Sequence, residues 1–151
     1  MAAGRWPLAA GRPRVYHERM SRSDAASPQV LFELATAFQR SRALLTAFEL
    51  DLFTVLNEQA LTSAEVASAI DADPRATDRL MNALVALGLL EKEEGRFANG
   101  PLAARHLVRG RPGFMAGLGH TVNLWRSWSD LTDAVRRGGA APRPAINDRG
   151  D

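Results

Sequence analysis

Histidine is the side chain in this sequence best suited to acid–base chemistry, and its spacing indicates neither catalysis nor metal binding. The three histidines, His17, His106 and His120, lie far apart, whereas a helical metal site would place two of them four residues apart. We expect His106 to be exposed near a helix end and His120 to lie on a long helix. Cysteine is absent, which excludes thiol nucleophiles, disulfides and thiolate metal sites. We therefore expect no catalytic residue and no metal site in this chain.

Two further groups of side chains could bind a ligand, and each has a simpler structural explanation. Glu91, Glu93 and Glu94 form a carboxylate cluster that is typical of a solvated turn. Trp125 and Trp128 fall on different faces of a predicted helix, where we interpret them as core or interface anchors. The sequence has no Gly-rich phosphate loop and no serine nucleophile elbow. We therefore expect no cofactor-binding residue in this chain.

These side chains belong to a chain of 151 residues, of which 46% are hydrophobic and 24% charged. That is the size and composition of a single globular domain. No apolar run approaches the ~20 residues that cross a bilayer, and no secretory signal is evident. We expect a cytoplasmic protein without a membrane partner.

The periodic, foldable part of the chain is predicted to be 28–137. Residues 1–27 mix Arg with Pro, Ala and Gly, have no hydrophobic period, and are predicted to be a disordered extension. Whether translation starts at Met1 or at Met20 stays open. Residues 138–151 are predicted to be a disordered linker or tail.

The first elements of the domain are strongly apolar. Ser27 followed by Pro28 predicts a helix start, and apolar residues at three- and four-residue steps predict a helix of about 20 residues. A shorter, almost wholly apolar helix follows within 50–56. A helix that is apolar around most of its circumference must be covered on more than one side.

The middle of the chain has the signals of a winged helix-turn-helix. Thr62 and Glu65 predict a capping box, Asp73-Pro74 predicts the start of the next helix, and Gly88 is placed to end it. Two short strands separated by a turn at 93–95 follow. We therefore predict a mainly α fold, a winged helix-turn-helix with a small two-stranded β-wing, flanked by long helices. We expect Leu84 to lie on its buried stripe.

The C-terminal part is predicted to hold a short helix at 102–108 and a long helix at about 114–137. Two apolar stripes run along the long helix, one through Val122 and Trp125 and the other through Trp128 and Leu131. Two stripes favour contacts with two different neighbours.

A DNA-binding regulator is the alternative function for such a fold, and the charges disfavour it. The second helix of the motif carries Arg75 and Arg79 together with Asp73 and Asp78. The predicted wing adds three glutamates, which repel the phosphates that dominate DNA affinity. We expect no nucleic-acid partner.

Three strings in the sequence resemble a known family. They are ALLTAFELDLFTVL (43–56), LTSAEVASAIDADPRATDRLMNALVALGLLEKEEGRFANGPLAARHLV (61–108) and LWRSWSDLTDAVRRGG (124–139). Together they resemble the N-terminal dimerisation domain of SAM-dependent O-methyltransferases, the family of hydroxyindole and caffeate O-methyltransferases and their bacterial natural-product relatives. Asp51 departs from the family pattern, which commonly has Gly before the Leu-Phe pair.

The resemblance implies a homodimerisation module that helps to close its partner's substrate pocket and is not catalytic by itself. In the family a Rossmann-like catalytic domain follows, with a loop that holds SAM and a histidine base. This chain stops about where that domain would begin, so no catalytic or cofactor residue is carried over, and SAM is expected only in the full-length family. Whether the chain is a truncated enzyme or a stand-alone module stays open.

The resemblance also implies candidate residues for two sites. The expected partners are a second copy of the chain and, in a full-length protein, a small aromatic acceptor substrate. The dimer-interface candidates are Leu31, Leu34, Phe38, Leu45, Phe48, Trp125, Trp128 and Leu131, and the substrate-pocket candidates are His120, Asn123 and Trp125.

Overall fold

A computed structural model describes residues 27–139, except for the side chain of Arg126. The chain separates into two compact units, the first ending at Ala37 and the second beginning at Phe38. The disordered segments expected at the two ends, including His17, lie outside the described residues apart from Ser27 and the two glycines at 138–139. Within residues 27–139, every helix is too short or too polar to cross a bilayer.

The first unit contributes one described helix, α1 (Pro28–Thr36). Ser27 caps it as predicted, because its hydroxyl accepts a hydrogen bond from the Gln29 N–H at 3.3 Å. The single helix of about 20 residues that the period predicted is interrupted at Ala37. The Thr36 hydroxyl donates to the Phe32 carbonyl at 2.8 Å, and such back-bonding bends and weakens a helix.

The second unit is a winged helix-turn-helix with flanking helices, as predicted. The elements of this unit follow one another in the order α2 (Phe38–Glu49), α3 (Leu52–Val55), β1 (Leu61–Thr62), α4 (Ser63–Ala69), α5 (Pro74–Ala86), β2 (Leu90–Glu93), β3 (Arg96–Asn99), α6 (Pro101–His106), α7 (Leu118–Ser129) and α8 (Leu131–Arg137). The winged motif consists of α4, α5 and the β2–β3 hairpin.

The wing has three antiparallel strands in the order β1-β3-β2, one more than the sequence predicted. The added strand β1 pairs Leu61 with Phe97 and Thr62 with Arg96. Because β1 is two residues long and leads directly into the cap of α4, it is too short to show the apolar–polar alternation by which a strand is predicted. Strand β1 therefore links the sheet to the start of α4.

Local capping residues define the ends of the motif helices as predicted. Thr62 and Glu65 form a reciprocal capping box on α4. The Asp73 carboxylate accepts from the Ala76 N–H at 2.8 Å and starts α5. Gly88 follows α5 with a φ of +71°, a left-handed conformation in which glycine ends helices without steric cost.

The stability that the α4 cap contributes depends on pH, because the Glu65 carboxylate takes part in it. Its hydrogen bond from the Thr62 N–H, its contact with the Thr62 hydroxyl and the Arg96 charge lower the pKa of Glu65 below the usual 4.5. A lowered folded-state pKa stabilises the fold at neutral pH, and this contribution disappears as the pH falls through the folded value. We expect Glu65→Gln to lower the urea midpoint at pH 7 and to make little difference well below pH 4.5, measured by circular dichroism. Glu91→Gln, an exposed carboxylate on β2, is the control and should change neither midpoint.

The core joins α2, α3 and α6 to the winged motif. Phe53, Leu84 and Phe97 are fully buried at its centre. Leu45 and Phe48, two of the residues expected at a dimer interface, are also buried in this core. The period of an apolar helix shows that a face is covered but not by which chain, and here the chain covers these two residues itself.

The predicted long C-terminal helix is two helices, α7 and α8, separated at Asp130. The Ser129 hydroxyl donates to the Trp125 carbonyl at 3.0 Å just before the break, the same back-bonding seen at the end of α1. The helix also starts later than predicted. Phe114 lies before it and stacks on Phe48 with ring centroids 5.6 Å apart.

Candidate interaction surface

The second apolar stripe of α7 and α8 is exposed. Trp128, Leu131 and Val135 follow one another at steps of three and four residues, and all three are exposed, Trp128 to 67%. We call these three residues the outer stripe. By contrast, Leu118 and Val122 of the other stripe pack against the core. A row of large exposed apolar side chains of this kind is a candidate interaction surface.

Helix α1 presents a second set of exposed apolar side chains. Leu31, Phe32 and Leu34 are 65–71% exposed, and none of the nine residues of α1 is buried. Leu31 and Leu34 were expected at a dimer interface. Phe32 was not, although it directly follows Leu31 in a helix whose polar residues, Gln29, Glu33 and Thr36, fall on one face.

An apolar cleft of about 250 Å³ lies between α2 and α7, lined by Phe38, Trp125, Trp128 and Ser129. The rings of Phe38 and Trp125 are 6.3 Å apart at an angle of 46°. The Arg42 guanidinium lies 5.5 Å from the Trp125 ring and is held there by a 2.6 Å ion pair with Glu49. Trp125 is therefore half-buried in the cleft, while Phe38 and Trp128 are exposed. Trp125 and Trp128 were expected on different faces of the helix, but they are only about 60° apart around α7 and line the same cleft.

The three substrate-pocket candidates do not share one helix face. His120 and Asn123 are both exposed on α7, and at 100° per residue they lie about 60° apart around the helix. Trp125 is half-buried and lies roughly 140–160° away from both. The helix therefore brings His120 and Asn123 together and turns Trp125 to the opposite side.

His106 is half-buried rather than exposed, which corrects the expectation from sequence. Its Nδ1 lies 3.0 Å from the Gly113 carbonyl oxygen. Gly113 belongs to the segment 110–113, whose glycines and proline predict a break after the short helix. A side chain at Gly113 would place its Cβ 2.8 Å from the Arg105 carbonyl oxygen, so the turn requires glycine there. His106 is a structural residue of this turn.

A shallow cleft of about 600 Å³ lies beside this turn, with a lining that consists of Pro101, Ala104, Arg105, Arg111, Pro112 and Gly113. The guanidinium of Arg111 donates to the Asn57 side-chain oxygen, with its Nη2 at 2.8 Å. The cleft is wide open to solvent, and no buried polar side chain points into it among its lining residues. It therefore has no feature of a built ligand site.

On the surface that would meet DNA in a winged-helix regulator, a lysine contacts side chains of the same chain. Lys92, the only lysine in the sequence, donates to the Asn82 side-chain oxygen at 2.9 Å and lies 4.5 Å from the centre of the Phe97 ring. Glu93 and Glu94 are exposed at the tip of the wing. Lys92 is therefore paired within its own chain, whereas Arg75 and Arg79 on α5 are exposed.

The described residues do not fit SAM or a metal ion. Between residues 27 and 139 the sheet consists of three short antiparallel strands, without the parallel strand and glycine-rich turn that hold a nucleotide-like cofactor. No group of three or more His, Asp or Glu side chains in this part of the chain is arranged to hold a metal ion.

A family model described as the O-methyltransferase dimerisation domain matches residues 32–109. The chain is 42% identical over 114 residues to the tetracenomycin polyketide synthesis 8-O-methyl transferase TcmO of Streptomyces glaucescens. This match covers 74% of the chain and 34% of that relative, so the chain spans about a third of its length. The match gives no support to a DNA-binding regulator.

Solved structures show the same similarity. An O-methyltransferase family protein from Burkholderia thailandensis superposes with a TM-score of 0.66 at 30% identity, over 73% of this chain and 33% of that one. Human N-acetylserotonin methyltransferase in complex with SAM gives a TM-score of 0.63 at 31% identity, over 79% of this chain and 37% of that one. With the winged fold and its exposed helices, these matches show that the chain belongs to the O-methyltransferase dimerisation domain family.

Proposed function

We propose that two copies of this chain form a homodimer through α1 and the outer stripe, as the dimerisation part of a SAM-dependent O-methyltransferase. The observation that carries the proposal is the exposure of large apolar side chains on both elements, with Trp128 67% exposed. The dimerisation part is not catalytic by itself, and the site of SAM lies in other parts of the full-length protein.

The exposed side chains of α1 favour a second copy as their cover. Isolated helices shorter than about 12–15 residues are marginal in water, and α1 has nine residues, none of them buried. Docking of Leu31, Phe32 and Leu34 onto another subunit would supply the burial that the helix lacks. Leu45 and Phe48 take no part, since this chain's own core covers them.

The outer stripe favours the same partner. Trp128 and Leu131 are large exposed apolar residues, and Trp128 also lines the Phe38–Trp125 cleft. Tryptophan in a partly formed pocket is the typical anchor of an interface. Two copies related by a two-fold axis would each offer this surface once, which closes the assembly at a dimer.

We also propose a substrate role for the exposed pair on α7. His120 and Asn123 offer hydrogen-bonding groups on one face, suited to one wall of an acceptor pocket that a catalytic domain would complete. Trp125, on the opposite side, would contribute only through the cleft with Phe38. The acceptor would be a small aromatic molecule with a hydroxyl group, and the protein would act in the cytoplasm.

Co-expression of two differently tagged copies tests the dimer. We expect purification through one tag to retain the other tag at about half its amount, because equally expressed copies that pair at random give about two mixed dimers for each like dimer. An obligate interface exchanges slowly once both chains have folded together. Mixing of separately purified copies is the control for non-specific association and should give little exchange. Recovery of each tag alone after co-expression would contradict the proposal.

A further inference from the structure

Two arginines between α6 and α7 bind the two ends of the short helix α3. Arg109 contacts Asp51, which precedes α3, and Arg111 contacts Asn57, which follows it. We call these contacts, together with Thr54 inside α3, the α3 clasp. It joins segments more than fifty residues apart in sequence.

Arg109 makes the central contacts of the α3 clasp. Its Nε donates to Asp51 Oδ1 at 2.8 Å, and its backbone N–H donates to the Thr54 hydroxyl oxygen at 3.0 Å. The Thr54 hydroxyl in turn donates to Asp51 Oδ1 at 2.7 Å. Three hydrogen bonds therefore close a ring between the start of α3 and the segment that leads to α7.

The Arg109 guanidinium also contacts the stacked pair of rings that precedes α7. It lies 5.9 Å from the centre of Phe48 on α2 and 5.8 Å from the centre of Phe114. The two rings are nearly parallel, at 7°. Phe114 is four residues before α7 begins at Leu118, so Arg109 helps to fix the chain at the point from which α7 starts.

The conformation of Asp51 indicates that its carboxylate has a purpose beyond the turn itself. Asp51 has a φ of +56°, a left-handed conformation that glycine adopts at the lowest cost. Glycine would therefore adopt this backbone conformation at no greater cost. What aspartate adds is the carboxylate that binds Thr54 and Arg109.

We propose that the α3 clasp is a positioning device that holds the start of α7, and with it the outer stripe, in a fixed orientation on the winged-helix body. Opening the clasp would loosen the start of α7, beyond which Leu118 and Val122 still pack against the core, while leaving α4, α5 and the wing folded. The effect on α7 follows from this chain alone, whereas its consequence for dimerisation rests on the function proposed above.

The network is what makes this ion pair effective. Both side chains of the Asp51–Arg109 pair are about half exposed, and a simple ion pair with that exposure contributes little. Here both residues also contact the Thr54 hydroxyl, and Arg109 in addition contacts the two rings. Removing one member of such a network costs more than the loss of a single ion pair. The Glu65–Arg96 pair has similar exposure and is the control for loss of an ion pair on the wing rather than beside α7.

Hydrogen exchange of the full chain tests the proposal, with Asp51→Gly, Arg109→Gln and the double variant. Asp51→Gly removes the carboxylate without straining the backbone, so its effect reports the side chain. We expect each single variant to speed amide exchange in α7 by about tenfold relative to α5, and the double variant to add little, as for groups that act through one opening. Arg96→Gln on the wing should leave α7 exchange unchanged.

Two results would overturn the proposal. One is unchanged exchange in α7, and the other is an equal rise in α7 and α5, which would mean that the contacts stabilise the whole domain rather than position one helix. The exchange of α7 relative to α5 is read within one molecule. If the chain proves to be a monomer, the dimer proposal fails. The exchange result still decides whether the α3 clasp positions α7.

Discussion

Replacing Trp128 by glutamate is expected to raise the dissociation constant of the dimer by about a hundredfold or more. The indole is 67% exposed in the single chain and would become an anchor on association. Glutamate removes the apolar contact and places a charge where it must lose water, and an unpaired charge buried in an interface is strongly unfavourable. Sedimentation velocity over a range of concentrations measures the shift, and circular dichroism verifies that the variant is folded.

Leu102→Glu is the matched control for this experiment. Leu102 is a similarly exposed apolar residue, at 59%, but it lies on α6 and does not belong to the outer stripe. Its replacement should leave the dissociation constant within about threefold of the original, as is usual for surface changes outside an interface. Equal weakening by both variants would place the interface elsewhere.

Leu84→Ala is expected to lower the free energy of unfolding by about 2–5 kcal/mol. Leu84 is completely buried on α5, where it packs among the core side chains of the winged motif. The loss combines reduced burial with the cavity that remains when neighbours cannot collapse into it. Urea unfolding at one fixed protein concentration measures it, because the stability of a dimer depends on concentration.

Leu102→Ala provides the comparison for the stability measurement. Its side chain is largely exposed, so we expect a loss of no more than about 0.5 kcal/mol. A loss below about 1 kcal/mol for Leu84→Ala would mean that α5 does not turn this residue into the core.

The features that the sequence predicted correctly are those that depend on near neighbours. The capping box of Thr62 and Glu65, the Asp73 cap and the left-handed Gly88 each involve residues within a few positions of one another. Their types and spacing therefore carry the information directly. This is why the winged helix-turn-helix could be predicted from the order of the residues alone.

The hydrophobic period did not predict the two helix breaks, each of which lies beside a threonine or serine hydroxyl. Thr36 and Ser129 each donate back to a carbonyl of their own helix, and the apolar residues continue in step past both. Hydrophobic period alone therefore predicts one helix where the structure has two.

The candidate surface was predicted only in part, since an apolar stripe does not state which chain covers it. Leu45 and Phe48 belong to the chain's own core, whereas Leu31, Leu34 and Trp128 are exposed. The contacts of Arg109 with Asp51 could not be predicted either, because they join residues 58 positions apart. Only the folded arrangement shows which long-range contacts form.

The mass of the purified chain in solution tests the central claim most directly. Sedimentation equilibrium from about 0.1 to 100 μM covers concentrations at which a stable interface stays associated. We expect a species of twice the chain mass across the upper part of this range. A single species with the mass of one chain at every concentration would contradict it, because α1 and the outer stripe would then remain exposed to water without a second copy to cover them.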